Sequence, residues 1–217
     1  MHMNYGTATW NLFKANMNVL PSDTIVVDLC GTEEQILASM KPKTRYNIGL
    51  ARRKGVEVRE MGPEALGLCS QTAHRNGLHV NDRRYFESVI ASRMQCSDPE
   101  VSVKLLMAFH EEKPLAAMFL ILSAHRATYL YGASATKGRH LMPTYALQWC
   151  AMQTARRAGC SEYDLFGVAP NADPSHPMHG LYRFKTGFGG QMYHQMGCWD
   201  YPLDMDGYRQ FAAREMS

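Results

Sequence analysis

The sequence has no hydrophobic run long enough to cross a bilayer. Its longest apolar stretches, such as residues 115–122, are much shorter than the about 20 residues that a transmembrane helix needs. Residues 1–5 show no basic region followed by an apolar one, so we expect no secretory signal. These absences predict a cytoplasmic protein without an integral membrane segment.

The spacings by which cysteine and histidine bind metals are also missing. None of the six cysteines forms a C-x-x-C pair, which excludes a zinc ribbon and a thioredoxin-type site, and we expect reduced thiols. His176, His179 and His194 follow no known zinc spacing. The sequence contains no phosphate-binding loop, no G-x-S-x-G nucleophile motif and no Rossmann glycine fingerprint. We therefore predict no metal site.

A large charge excess is missing too. Lys and Arg number 23 against 20 Asp and Glu, and the resulting net charge of +3 does not by itself predict nucleic-acid binding. Hydrophobic residues make up 46% and charged residues 20%, which is ordinary for a globular protein and excludes a disordered chain. A length of 217 residues allows one large domain or two small ones.

Hydrophobic patterning predicts a mixed α/β fold with an antiparallel centre. Strand-like runs cover residues 24–29, 56–59, 101–110, 115–124, 127–131, 162–165 and 191–199, and the third to fifth of these form a meander. Helices are predicted over residues 32–40, 43–54, 63–75, 82–94, 143–159, 181–186 and 203–215. We expect one domain over residues 23–217, preceded by an arm or a remnant of a first domain over residues 1–22.

A basic segment over residues 41–54 is the first candidate for binding. It holds six cations and no acid, and concentrated charge of this kind attracts phosphates. Tyr46 could stack on a base or a sugar. At helical spacing Tyr46, Leu50 and Arg53 share a face, so we expect part of the segment to pack inward. The alternative interpretation is a solvated helix face.

Two polar patterns follow the predicted strands. Tyr129 and Tyr131 lie two residues apart, so their side chains should point to the same side of a strand, either toward a ligand or into the core. Asp164 ends another strand and is either a general base or a carboxylate that forms a turn by accepting backbone N–H groups.

Lys185 is the strongest candidate for chemistry. Aromatic residues lie on its N-terminal side, and three glycines follow it at positions 187, 189 and 190. Glycines let a backbone approach a ligand closely. A lysine among aromatic rings presents a positive charge in a dry place, where it stabilises an oxyanion that develops during a reaction. The alternative is an exposed lysine before a turn.

In order along the chain, several unusual strings resemble the FemABX family of peptidyltransferases. The matching strings are TIVVDL (24–29), MKPKTRYNI (40–48), KGVEV (54–58), YLYGAS (129–134), LMPTYALQW (141–149), YDLFGVAPN (163–171) and GLYRFKTGFGG (180–190). The resemblance covers most of the chain from about residue 20 onward. It implies the GNAT-like acyltransferase fold, and it implies transfer of an amino acid from aminoacyl-tRNA to the stem-peptide amine of a peptidoglycan precursor. It also implies that no cofactor takes part, neither a metal nor acetyl-CoA.

The same resemblance implies roles for individual residues. Lys185, in the family's F-K motif with Phe184, would stabilise the oxyanion. Lys43 and Arg45 would face the phosphates of tRNA or of the precursor, which is a UDP-linked muropeptide or lipid II. The other candidate substrate-binding residues are Arg83, Tyr85, Tyr131 and Asp164.

The chain departs from the family in one respect. Typical members hold two copies of the acyltransferase domain, and this chain resembles the second copy with a short N-terminal piece. A partner domain or a homo-oligomer could complete the precursor cleft. Two alternatives stay open. The first is an acyl-CoA-dependent N-acyltransferase; such enzymes carry a glycine-rich loop for the pyrophosphate, whereas Gly138 is the only glycine of residues 137–143. The second is a non-catalytic module that binds tRNA or muropeptide.

Overall fold

A seven-stranded sheet forms the centre of the protein. The computed structural model describes residues 11–65, 88, 91–93 and 100–215. Within these ranges the strands of the sheet lie in the order β3-β4-β5-β6-β7-β2-β8, and each neighbouring pair is antiparallel except β6 with β7, which is parallel. The strands are β2 (Asp23–Asp28), β3 (Glu57–Met61), β4 (Val101–His110), β5 (Lys113–Ser123), β6 (Arg126–Ser134), β7 (Glu162–Asp164) and β8 (Gln191–His194). The predicted meander is β4-β5-β6.

The helices begin and end where local signals predict. Thr32 caps α1 through a capping box with Gln35, Pro42 opens α2, and Pro143 opens α3. Gly159, at φ +87°, follows the end of α3 in the left-handed conformation. The helices are α1 (Glu33–Ser39), α2 (Pro42–Arg53), α3 (Pro143–Arg157), α4 (His179–Lys185) and α5 (Met205–Glu215). Of the two helices predicted over residues 63–75 and 82–94, Pro63–Ala65 is a 3-10 turn, and most of the remainder lies outside the described residues.

The sheet buries side chains on both faces. Alternate residues of β4 divide between two clusters, with Leu106 and Ala108 in the larger one and Leu105 and Met107 in the smaller one. The larger cluster lies under α1, α2 and α3 and contains Ile36, Ala51, Leu147, Ala151 and Met152. It is the core against which the candidate site is built.

A β-bulge in β6 overturns one prediction. Tyr129 pairs with Leu120 and Tyr131 pairs with Phe119, which leaves Leu130 as an extra residue in the strand. Leu120 belongs to the larger cluster and Phe119 to the smaller one, so the two tyrosines lie on opposite faces of the sheet. The prediction that they point to the same side was wrong because the bulge shifts the alternation by one residue.

The two ends of the described chain meet in a second, small sheet. The predicted strand over residues 191–199 divides, because β8 ends at His194 and Trp199–Asp200 (β9) pairs with Phe13–Lys14 (β1) instead. Lys14 Nζ donates to the carbonyls of Met196 and Cys198, and the Phe13 ring contacts the Tyr208 ring of α5. Among the helices of the described ranges, none is both long and apolar enough to span a membrane.

Candidate active site

The parallel strands β6 and β7 separate next to Asp164 and Lys185, two of the candidate residues. Their pairing covers Arg126–Thr128 and ends at Asp164. Beyond Asp164 the chain follows β2, because the N–H of Leu165 donates to Ile25 and the N–H of Val168 donates to Asp23. Meanwhile β6 continues along β5 to Ser134. The divergence opens the sheet beside the Phe166–Gly167 turn.

Lys185 lies in this opening and is 4% exposed. Its Nζ donates to the carbonyl oxygen of Gly167 at 2.6 Å and to that of Phe166 at 3.2 Å, and it lies 5.4 Å from the centre of the Tyr129 ring. Burial lowers the pKa of Lys185 to about 8, and the nearby Asp164 charge acts in the opposite direction. The alternative of an exposed lysine does not hold.

Asp164 forms the turn that carries these carbonyls. Its Oδ1 accepts from the N–H of Phe166 at 2.8 Å and from the hydroxyl of Thr24. Its Oδ2 lies 4.0 Å from Arg126 Nη1. The side chain is buried. These contacts are those of the turn-forming interpretation.

Aromatic residues hold α4 against α3. The Phe184 ring lies edge-on to the Tyr145 ring and to the Phe188 ring, with 5.1 Å between centres in both pairs. Tyr129 is partly buried on the same side, and desolvation raises the pKa of its hydroxyl to about 12, so the phenol stays neutral. Phe184 therefore helps to place Lys185, its neighbour in sequence.

Tyr131 lies on the other face of β6 and is 50% exposed. The structure therefore does not bring it together with Tyr129 and Lys185. Arg83 and Tyr85 lie outside the described residues.

All six cations of residues 41–54 are exposed, and within the described ranges none forms an ion pair with an acid. The Lys41 N–H donates to the Gly187 carbonyl, which joins the start of α2 to the end of α4. Lys43 lies on the exposed side of this junction. Arg45 Nη1 donates to the carbonyls of Ala38 and Met40, so its guanidinium also caps the end of α1.

The inward face of α2 differs from the predicted one. Thr44, Asn47 and Ala51 are buried, whereas Tyr46 is 60% exposed and stacks under the Arg53 guanidinium at 5.7 Å. The reason is steric, since small side chains fit where α2 packs against α3 and against Gly187. The expected inward face was wrong.

The glycines after Lys185 serve packing within the chain. A Cβ on Gly187 would lie 2.4 Å from Thr44 Oγ1, one on Gly189 would lie 2.6 Å from the Ser39 carbonyl oxygen, and one on Gly190 would lie 2.7 Å from the Val26 carbonyl oxygen. The sequence predicted that these glycines let a ligand approach the backbone closely. In the structure, α1, α2 and β2 occupy the space beside them instead. Thr24, which had no signal in the sequence, enters the site through its contact with Asp164.

A family model decides the relationship of the chain to known proteins. The model of the FemAB family matches residues 1–93 and 101–213. The chain belongs to the FemAB family. The resemblance seen in the sequence is thereby confirmed.

Two curated relatives of this FemAB chain are named lipid II:glycine glycyltransferase. The relative from Staphylococcus saprophyticus is 27% identical over 181 residues, which cover 82% of this chain and 41% of the relative. The one from Staphylococcus aureus strain USA300 is 31% identical over 108 residues, which cover 48% of this chain and 26% of the relative. The FemAB chain thus spans less than half the length of these relatives.

Solved structures share the fold. The crystal structure of FemX superposes with a TM-score of 0.81 at 19% identity, over 95% of this chain and 69% of FemX. The C-terminal domain of a putative lysylphosphatidylglycerol synthetase from Agrobacterium fabrum gives a TM-score of 0.56 at 15% identity, over 85% of this chain and 60% of that one. The predicted fold class, a mixed and mostly antiparallel sheet flanked by helices, is confirmed.

Proposed function

We propose that this FemAB chain transfers an amino acid from aminoacyl-tRNA to the stem-peptide amine of a peptidoglycan precursor. Its membership of the family and the names of its glycyltransferase relatives support an acyl transfer to such a precursor. The observation that carries the proposal is the buried ammonium of Lys185, held by two backbone carbonyls at the opening between β6 and β7.

The proposed reaction replaces an ester bond by an amide bond. The precursor's amine nitrogen attacks the carbonyl carbon of the aminoacyl ester, the C–N bond forms, and the C–O bond to the tRNA ribose breaks. Overall, one proton moves from the amine nitrogen to the ribose oxygen. Between these events the former carbonyl oxygen carries a negative charge that must be stabilised.

Lys185 is suited to stabilise that oxyanion. An ammonium has three N–H donors, and in the described part of the chain the carbonyls of Phe166 and Gly167 accept two of them. The third is the donor that we assign to the oxyanion. Because the pKa of Lys185 is about 8, the group is mostly protonated at pH 7.

The basic face of α2 is the proposed contact for phosphates. Lys43 and Arg45 are exposed near the junction between α2 and α4, which favours tRNA or the diphosphate of the precursor as their partner. Tyr131 and Phe184 stay proposed precursor contacts, and Asp164 is proposed to support the site through the turn that holds Lys185. The proposal also keeps Arg83 and Tyr85 in that role, and both the UDP-linked muropeptide and lipid II as acceptors.

The test is transfer by purified protein supplied with a set of charged tRNAs and both precursor forms, read by mass spectrometry. We expect the wild type to extend one precursor and Lys185→Met to lose about 10²–10³ in rate while staying folded. Arg183→Met, an exposed cation on the same helix, is the matched control and should keep the wild-type rate.

Two results would contradict the proposal. Absence of transfer by the wild type with every charged tRNA overturns the function, and saturable acetyl-CoA binding in its place favours an acyl-CoA enzyme. Wild-type rates in Lys185→Met overturn the role of the lysine.

A further inference from the structure

The carboxylate of Asp164 has a function that its place in the fold indicates. We infer that Asp164 is a positioning residue for Lys185, because it holds the Phe166–Gly167 turn in the conformation that directs two backbone carbonyls at the lysine ammonium. The link to amino-acid transfer rests on the proposed function, whereas the positioning of Lys185 does not.

The turn needs support because Phe166 has an unfavourable backbone conformation. Its φ is +60°, in the left-handed region that is unfavourable for residues with a Cβ. The hydrogen bond from its N–H to Asp164 Oδ1 holds this conformation. Gly167 follows it under Pro21, where a Cβ would lie 2.5 Å from the proline Cγ. The turn therefore has little freedom while Asp164 is in place.

Hydrogen bonds to β2 direct the carbonyls of the turn toward the lysine. The N–H groups on either side, those of Leu165 and Val168, both donate to carbonyls of β2. The carbonyls of Phe166 and Gly167 between them accept from Lys185 Nζ at 3.2 and 2.6 Å. The Asp164 carboxylate thus determines the positions of two carbonyl oxygens that accept from the Lys185 ammonium.

Thr24 and Arg126 hold the carboxylate in turn. The Thr24 hydroxyl donates to the same Oδ1 that accepts from Phe166, and Thr24 is itself buried in β2. Arg126 of β6 faces the other oxygen at 4.0 Å. In Asp164→Asn, one carboxylate oxygen is replaced by an NH₂ group, which donates and does not accept. The amide therefore cannot satisfy Phe166, Thr24 and Arg126 together.

Charge adds to the effect of geometry. The groups that face Lys185 are Asp164 of β7, the neutral Tyr129 of β6 and the two turn carbonyls, and Arg126 lies behind Asp164. The Asp164 charge raises the pKa of Lys185 against the effect of burial. Loss of this charge should therefore lower the pKa of the lysine further.

The first test follows Lys185 directly and needs no activity. The protein is labelled with lysine enriched at Cε, the Lys185 signal is assigned by its loss in Lys185→Met, and its NMR shift is titrated with pH. We expect Asp164→Asn to move the Lys185 titration to lower pH. Asp28→Asn is the matched control, because Asp28 Oδ1 accepts the N–H of Cys30 at 2.8 Å in the same i to i+2 pattern at the other end of β2. It should leave the titration unchanged.

The second test uses Thr24 and does not depend on whether Asp164→Asn folds. Thr24→Val should speed amide exchange at Phe166 and lower kcat by up to about 10²-fold with little change in KM, because the reacting groups are displaced. Thr24→Ser keeps the hydroxyl and should restore both readouts.

The outcomes separate the two proposals. An unchanged Lys185 titration in Asp164→Asn, or unchanged Phe166 exchange in Thr24→Val, overturns the positioning role. Absence of transfer by the wild type overturns the proposed function alone, since the titration and the exchange rates still decide whether Asp164 positions Lys185.

Discussion

Lys185 keeps its charge inside the protein because groups of the chain replace the water that burial removes. Two carbonyl oxygens accept from its ammonium, the Tyr129 ring lies over it, and the Asp164 carboxylate lies nearby. Burying a charge without such partners is far more costly. The compensation is partial, because the pKa of Lys185 still falls to about 8.

This partial compensation predicts how stability depends on pH. Below about pH 8 the folded and unfolded states both hold the Lys185 proton. Between about 8 and the ordinary value of 10.5 the unfolded state binds more protons, so the free energy of unfolding rises with pH. Relative to Lys185→Met, the wild type should gain up to about 3 kcal/mol across this range, measured by urea denaturation. A difference between the two proteins that stays constant from pH 7 to pH 10 would contradict the lowered pKa.

At the scale of elements, the site depends on how the end of α4 is fastened to the rest of the fold. The start of α2 donates to the Gly187 carbonyl, and Gly189 and Gly190 lie against α1 and β2 with no room for a Cβ. The aromatic contacts of Phe184 fasten α4 to α3. The helix that carries Lys185 is therefore held from both sides.

The effect of a methyl group at this junction can be measured. Gly189 has φ +82°, and a Cβ added to it would lie 2.6 Å from the Ser39 carbonyl oxygen. Gly159 has φ +87°, and a Cβ added to it would meet no atom within 4 Å. Both alanine substitutions carry the cost of the left-handed conformation, and Gly189→Ala adds a clash with backbone. Its free energy of unfolding should fall by about 1–3 kcal/mol more than that of Gly159→Ala. Equal losses of unfolding free energy in the two variants would mean that the backbone around Gly189 moves to make room for the added Cβ.

At the scale of the whole molecule, both ends of the described chain join at a place apart from the main sheet. β1 pairs with β9, Asn16 donates to Ala212 of α5, and Asn18 accepts from the N–H of Cys198. The two hydrogen bonds link residues that are 196 and 180 positions apart in the sequence. The predicted division into an arm over residues 1–22 and a domain over residues 23–217 stays a prediction.

Removing residues 1–18 tests this linkage. We expect faster hydrogen exchange in residues 196–212, because β9 and α5 lose their partners, and unchanged protection in β4, β5 and β6, which rely on the central sheet. Hydrogen exchange read by mass spectrometry gives both regions in one experiment. Unchanged protection in residues 196–212 would show that the C-terminal segment is stable without its N-terminal partner.

Local signals were sufficient wherever the deciding residues are neighbours in sequence. Thr32 with Gln35, Pro42, Pro143 and Gly159 set helix ends through contacts within a few residues, and three consecutive strand-like runs set the meander β4-β5-β6. The strings around Lys185 and Asp164 pointed to the FemAB family.

The sequence alone therefore determined most of the helices and strands of the described ranges, the family and the candidate lysine. Only the tertiary structure decided that Tyr129 and Tyr131 lie on opposite faces, that the glycines pack against the chain itself, and that Thr24 supports Asp164. Each of these depends on contacts between elements distant in sequence. The effect of a one-residue bulge, a missing Cβ or a hydroxyl cannot be predicted until the residues that contact it in the folded chain are known.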